Sequence, residues 1–327
     1  MSKRPTINDI AEKAGVSKRT VSRVINGATN VNAQTRQRID TIIQQEGFSP
    51  DKAARGLAAK RSYLLGIIYD NPGAFYIDQV QRGVLEVSTQ KGYEVIIHPC
   101  DYHNNLHVSN CLEFIRRANV DGVIVLPPVS ESESLAAALR EHNVHYVRMA
   151  SVELDAPSNM VVSDDRSALE ELADYLVATN YRHIAMITGP GQFSSTRERL
   201  EGFCQKLKSL GHTVPANMIA EGDNTYHSGI ECGVTLLTQS QRPDVIVANN
   251  DDMAVGVIKA AHELSIAVPD EVSVVGFDDN VLATRAIPSL TTIQRPVTQM
   301  AAEAARKLIA QIERAPHNET RDTSVRP

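Results

Sequence analysis

Apolar positions recur at helical spacing through the first fifty residues and later come in short unbroken runs. Ile7, Ile10, Ala11 and Ala14 fall on one helical face, and Val21, Val24 and Ile25 on another. Thr6 stands where an N-cap is needed, and Asp9, three residues on, completes a capping box. Gly15 suits a left-handed turn, Val16 plugs the small core behind it, and Ser17 caps the second helix. A third period, through Val31, Arg36, Ile39, Ile42 and Ile43, predicts a helix over 32–46 that ends at Gly47. Two short helices broken at a glycine predict a helix-turn-helix, whose second helix enters a DNA major groove.

From Tyr63 the pattern changes. Apolar runs at 64–69, 94–98, 122–126, 145–149, 183–188, 218–221, 244–248 and 272–277 read as buried strands. Helical patterns lie between them, among them 77–91, 132–142, 167–180, 196–210, 228–238 and 252–264. Short continuous strands separated by helices predict parallel sheets covered on both faces. The pattern restarts near Asn159, which predicts two similar α/β lobes with a ligand between them at the carboxyl ends of the strands.

Charge sharpens this division. Residues 1–61 carry 12 Lys/Arg and 5 Asp/Glu, a net +7 within a chain of net −6, so the remainder carries −13. A basic head on an acidic body fits a DNA reader with a separate control domain. Trp is absent and aromatics are 5%, so the cores must rest on Val, Ile, Leu and Ala. The longest apolar run, 63–69, is far too short to span a bilayer, and the N-terminus leads into helix pattern without an apolar signal segment. Cys100, Cys111, Cys204 and Cys232 are widely spaced and form no CxxC, as expected of reduced thiols in the cytoplasm. His103 and His107 lie four apart but lack a third ligand at metal spacing, so neither metal nor cofactor is expected. No GxxxxGK[ST], GxSxG or HExxH occurs, and no nucleophile–base constellation points to an enzyme.

On the second helix Lys18, Arg19, Ser22 and Arg23 face outward. Arginine forks match guanine O6 and N7 and lysine reaches the same edge, so Lys18, Arg19 and Arg23 are the expected base readers. Thr6, Ser17, Thr20, Ser22 and Asn26 are placed for phosphates, which fix register.

This segment resembles the lactose-repressor/galactose-repressor family of bacterial transcription regulators. The matching stretches are 6–11, 14–17, 20–26, Thr35-Arg36 and 47–50, continuing into Ala53-Ala54-Arg55-Gly56-Leu57-Ala58. The resemblance implies a hinge helix that orders on operator DNA and pairs with its dimer mate in the minor groove. Leu57 would wedge into the central base step, with Arg55 as a flanking cation. Gly56, a poor helix residue, predicts a hinge that is marginal without DNA.

Further landmarks lie at 121–124, 162–165, Gly189-Pro190, 199–203, 250–254, 274–279 and 288–293. By resemblance the body is a two-lobed, periplasmic-binding-protein-like α/β fold of parallel sheets flanked by helices. The expected division is a helix-turn-helix domain over 1–50, a hinge over 51–62, and an effector-binding and dimerisation domain over 63–327. Lobe 1 would span about 63–158 and 294–318, with a helix over 296–314 returning to it. Lobe 2 would span about 159–293 and 319–327, without the last strand the family carries.

Polar strand ends mark the effector cleft. Asp70, Phe75 and Tyr76 follow the first strand, Phe193, Ser195 and Arg199 follow Gly189-Pro190, and two further strands end at Asn250 and Asp278. Carboxylate, amide and guanidinium groups suit vicinal hydroxyls, and an aromatic ring can stack on a sugar. The resemblance puts Arg199, Asn250 and Asp278 on effector and adds Arg148, Asp164 and Asn224 as further candidates. Asn224 stands where several relatives carry a stacking aromatic. Competing structural roles are an N-cap at Asp251 or Asp252, a similar local role for Asp279, ion pairs of Arg197 or Arg199 with Glu198 or Glu201, and a core position for Phe75.

The expectation is therefore a cytoplasmic, homodimeric repressor of carbohydrate-utilisation genes, reading a pseudo-palindromic operator under control of a mono- or disaccharide. The alternatives are a solute-binding protein without DNA function, or a regulator answering to a phosphorylated sugar, which Arg148 would suit, or to a nucleobase.

Overall fold

The computed structural model describes residues 5–25, 28, 30–48, 61–70 and 73–314. It divides into two compact units, Met1–Tyr63 and Leu64–Pro327. Asn26, Arg55, Leu57, positions 51–60 of the hinge and the expected end of lobe 2 lie outside the described residues.

The first unit holds α1 (Ile7–Ala14), α2 (Lys18–Ile25) and α3 (Ala33–Glu46). Thr6 and Asp9 form the complete capping box, and Gly15 ends α1 at φ 61°. Asn32 caps α3 through Gln34 N, and Gly47 ends it in the left-handed region. Ile10, Ala11, Ala14, Val21, Val24, Ile39 and Phe48 form the core, with Val16 packed against it. So small a core is supplemented by ties on its surface. Lys13 pairs with Glu46 at 2.6 Å, joining α1 to α3, and Arg36 holds the carbonyl of Ala28.

The second unit runs β1 (Leu64–Tyr69), α4 (Ala74–Gln90), β2 (Glu94–Pro99), α5 (His107–Ala118), β3 (Gly122–Val125), α6 (Glu133–Glu141), β4 (His145–Ala150), β5 (Met160–Val162) and α7 (Asp165–Ala178). It continues through β6 (Ile184–Thr188), α8 (Ser194–Ser209), β7 (Ile219–Glu221), α9 (Tyr226–Leu237), β8 (Val245–Ala248), α10 (Asp251–Glu263), β9 (Ser273–Asp278), α11 (Val281–Arg285), β10 (Thr291–Gln294) and α12 (Val297–Arg314). No helix among the described residues is long and apolar enough to cross a membrane.

Two parallel sheets result, in the orders β2-β1-β3-β4-β5 and β10-β9-β8-β6-β7. Each is the same doubly wound order, starting from its first strand and reversing direction beside it. The central strands β3 and β8 are buried at every residue, as their apolar runs require. The edge strands differ from expectation. In β2, Ile96 and Ile97 are 38% and 43% exposed, and β7 is only half-buried. An apolar run does not report whether a strand has neighbours on both sides.

The first sheet takes in Met160–Val162, past the expected lobe boundary at 158, and α12 returns to pack on α4 and β4. The chain thus crosses between lobes after β5 and again after β10. Both strands are three or four residues long and partly exposed, too brief for a clear apolar signal. The helices α5 and α11 also emerge outside the patterns named above.

Candidate functional site

In the first unit, α2 presents Lys18, Arg19 and Arg23 to solvent, while Val21 and Val24 face the core. Ser17 accepts from Thr20 N at 3.2 Å, and the two hydroxyls lie 2.9 Å apart. Thr6 is exposed at the start of α1, its hydroxyl donating to Asp9 at 2.7 Å. Ser22 is half-exposed on α2. The outward face of α2 therefore combines three cations with no acidic residue in its first turn.

In the second unit, a cavity of about 310 Å³ lies between the lobes. Its walls are the carboxyl ends of strands from both sheets, where doubly wound folds bind ligands. Of the sequence-predicted residues, Asp70, Tyr76, Phe193, Ser195, Arg199, Asn224, Asn250 and Asp278 line it. The fold also brings Gln79, His103, Glu131, Gln192, Asp223, Asn249, Asp252, Asn280 and Arg295 to the same walls.

The floor is an ion-pair network spanning both crossings. Arg199, on α8, pairs with Asp165 at 2.8 Å, donates to Asn249 O at 2.5 Å and lies 3.7 Å over the Phe277 ring. Asp165 also accepts from Ser151 at 2.8 Å and Ser163 at 2.7 Å. Although burial raises its carboxyl, Arg199, Arg295 and these hydroxyls hold it well below the usual range. Arg295, just past β10, donates to Ser163 at 3.0 Å, so one crossing is bound to the other.

Several buried polar atoms around the cavity have no hydrogen-bond partner among the described residues: Tyr76 Oη, Thr196 Oγ1, Asn249 Oδ1 and Arg295 Nε. Burial pushes the Tyr76 phenol up to about 12, so it stays a neutral hydroxyl. Asp278 sits at φ 113°, a region that non-glycine residues avoid, at the tip of β9. Its burial raises the carboxyl to about 6, with Arg199 and Arg295 pulling it back down. Gly189 keeps the wall open, since a Cβ there would lie 2.7 Å from Asn249 Nδ2 and 2.8 Å from Asn224 Oδ1.

Three predicted residues lie away from the cavity lining. Arg148, 2% exposed, spends its guanidinium inside lobe 1 on Ser130 O, Glu133, Leu154 O and Asp155. Asp164 is an exposed N-cap that accepts from Ser167 N, and the buried carboxylate is its neighbour Asp165. Phe75 is half-buried beside Tyr76, which takes the cavity wall.

The competing structural roles also resolve differently. Asn250, rather than Asp251 or Asp252, caps α10 through Met253 N, and its amide donates to Asn224 O at 2.9 Å. Asp251 is fully buried, accepting from Asn280 N at 2.7 Å and Thr292 at 2.6 Å. Burial raises its carboxyl to about 7. Gly276 leaves room for it, because a Cβ there would meet Asp251 Oδ1 at 2.3 Å. Asn280 caps α11, whereas Asp279 accepts from Gln294. Arg166 takes both Glu198 and Glu201, and Arg197 donates to Gln192 O and Ser194. His103 lies in the turn before α5, not on one helix face with His107, whose ring is held by Asn104 O and Ser132.

Among the missed residues, Asp165 and Arg295 left a signal. Asp165 stands within the 162–165 landmark and Arg295 two residues past 288–293. Glu131 left none, because nothing local marks a carboxylate that reaches the other lobe. It accepts from Ser194 N and Oγ, both at 2.8 Å.

A family model described as bacterial regulatory proteins, lacI family, matches residues 6–51, and one for a periplasmic binding protein-like domain matches 173–327. Catabolite control protein A of Priestia megaterium is 31% identical over 323 residues, 98% of this chain and 95% of that protein. A Lac repressor dimer bound to operator and the anti-inducer ONPF superposes at a TM-score of 0.76 with 28% identity, covering 95% of this chain and 93% of that one. A complex of the transcriptional regulator CelR with cellobiose gives 0.70 with 26% identity, covering 95% and 94%.

Proposed function

The chain belongs to the lacI family of bacterial regulatory proteins, and from that premise we propose how its two units divide the work of a sugar-controlled repressor. It is a DNA-binding transcriptional regulator with an effector-binding body. In our reading Lys18, Arg19 and Arg23 contact base edges, and Thr6, Ser17, Thr20 and Ser22 contact phosphates. Asn26, Arg55 and Leu57 complete the interface by resemblance. The work is regulation in the cytoplasm, where the operator is, rather than catalysis.

The effector is a neutral polyol, a mono- or disaccharide, held by Tyr76, Arg199, Asn250, Asp278 and their neighbours on the cavity wall. The observation that carries this is the set of polar atoms there that have no hydrogen-bond partner among the described residues. Asn249 Oδ1 needs a donor, Arg295 Nε needs an acceptor, and Tyr76 Oη takes either. Hydroxyl groups supply both roles. Charge argues against a phosphate ester: Arg199 is already paired with Asp165, and Asp70, Glu131, Asp223, Asp252 and Asp278 all line the wall. Arg148, the residue that favoured a phosphorylated sugar, is committed inside lobe 1. The neighbour bound to cellobiose supports the same class.

Homodimerisation is supported by the apolar face of β2 and α4, which pack together and leave Leu85, Ile96 and Ile97 exposed. The operator-bound dimer of the Lac repressor agrees with it.

The test is a thermal-shift screen of the full chain against sugars, glycosides, sugar phosphates and nucleobases. A ligand at 100 times its Kd stabilises by about 2.7 kcal/mol. A neutral sugar should raise the melting temperature; stabilisation by sugar phosphates or nucleobases alone would replace the polyol reading.

A further inference from the structure

Beneath the loop that leads from β2 to the cavity lies a pair of thiols with no part in effector binding or DNA reading. Cys100 follows β2 and Cys111 sits on α5, and both are buried. Cys111 Sγ donates to Cys100 Sγ at 3.6 Å. A disulfide needs roughly 2.0 Å between sulfurs, so closure requires a contraction of about 1.5 Å. Cys232 instead donates to the carbonyl of Glu221, and Cys204 is half-buried on α8.

We propose that Cys100 and Cys111 form a reversible dithiol, oxidised to a disulfide by hydrogen peroxide. Cys100 is the attacking sulfur. It borders a second cavity of about 210 Å³, shared with His98, Asp101, Asn110 and Arg117, through which a small oxidant reaches it. The hydrogen bond from Cys111 favours its thiolate and lowers its pKa, whereas that same bond and burial raise Cys111. Cys100 is therefore the nucleophile and Cys111 the resolving thiol.

In the first step Cys100 gives up its proton, attacks one peroxide oxygen and breaks the O–O bond. A sulfenic acid forms, and the departing hydroxide takes up that proton as water. Cys111 sulfur then attacks the Cys100 sulfur. The S–S bond forms, the S–O bond breaks, and the hydroxyl leaves with the Cys111 proton as a second water. Two thiols and one peroxide become one disulfide and two waters, and an external thiol reverses the change by exchange.

The location gives the bond a consequence. Cys100 N donates to Tyr69 O at 2.7 Å, and Tyr102 N donates to the Asp70 carboxylate at 2.8 Å. The Tyr102 ring lies 6.0 Å from Phe193 on the other lobe, and His103 lines the effector cavity. Tethering Cys100 to α5 fixes one end of the loop that carries Tyr102 and His103.

The full chain is treated with stoichiometric hydrogen peroxide, and its intact mass and cross-linked peptides are read. The expected result is a loss of about 2 mass units, mapped to a Cys100–Cys111 link and restored by dithiothreitol. Cys204→Ser should leave this loss unchanged, and Cys111→Ser should abolish it. Two thiols at 100 and 111 that both remain alkylatable after peroxide treatment and unfolding, or a link through Cys204 or Cys232, would overturn the proposal. The wild-type mapping decides the matter even if a variant fails to fold.

Discussion

The head and the body place their working side chains in opposite settings. In the head, Lys18, Arg19 and Arg23 stand in solvent on a helix whose other face is core, and the partners proposed for them come with the DNA. In the body, the Arg199 and Arg295 side chains are largely buried, wired to Asp165 and Ser163, and surrounded by polar atoms without a partner among the described residues. An exposed reader costs little to mutate in stability and much in specificity. A buried one carries fold and function at once, so each change there must be read on two scales.

The largest effect expected is Arg199→Ala. Its guanidinium is 6% exposed and Asp165 only 1%, so truncation leaves a buried carboxylate unpaired. Breaking such a pair costs about 3–5 kcal/mol, read as a lower denaturant midpoint for the body. An unchanged midpoint would mean that Asp165 finds another cation, the nearest being Arg295 at 3.9 Å.

Asp278→Ala separates binding from folding, because among the described residues Arg295 N donates to its backbone carbonyl and no hydrogen bond is made to its side chain. Loss of a charge-assisted hydrogen bond worth about 1.5–3 kcal/mol should weaken the effector roughly 10- to 100-fold by calorimetry. Unchanged affinity would remove Asp278 from the site.

Arg19→Ala should cost about 1–3 kcal/mol on the preferred operator and relax selection at one base position. Uniform weakening across sequences would make Arg19 a phosphate contact instead. The variant's melting temperature should stay within about 2–4 °C of wild type, since an exposed surface change is worth at most ~0.5 kcal/mol.

The smallest effect is in pH. Asp278 is raised to about 6, so it is protonated at pH 5 and ionised at pH 7. If effector hydroxyls donate to the ionised form, affinity rises about tenfold across that interval by linkage. The empty body moves the other way. A carboxyl raised by folding favours the native state below its ordinary range and loses that contribution as pH climbs through 6. Asp278→Asn should flatten the binding profile, and a profile that keeps its slope in Asn would assign the titration elsewhere, Asp251 being next at about 7.

The same contrast explains what was legible in the sequence. Thr6, Gly15, Ser17 and the faces of α2 follow from spacings of three and four residues, and the capping box, turn and exposed cations stand as read. Strand-end positions such as Asp70, Asn250 and Asp278 were also readable as cavity lining, because polar residues at the ends of apolar runs need a purpose. Side-chain pairing between distant elements was not. Arg148 reads as a cleft residue until Glu133 and Asp155 are brought to it. Asp164 and Asp165 differ only in which one faces inward at the start of α7, a question set by the crossing beneath it. Arg295 meets Ser163 across 132 residues, and no local period records that contact.

The central claim is that a ligand in the body changes the head's grip on DNA. It is tested most directly by measuring operator affinity at fixed salt, with and without the sugar that stabilises the chain, in wild type and Asp278→Ala. The account predicts a ligand-dependent shift in wild type, and in the variant the same shift only at roughly 10- to 100-fold more sugar. A shift at the same sugar concentration in both proteins, or none in wild type despite saturated binding, would contradict it.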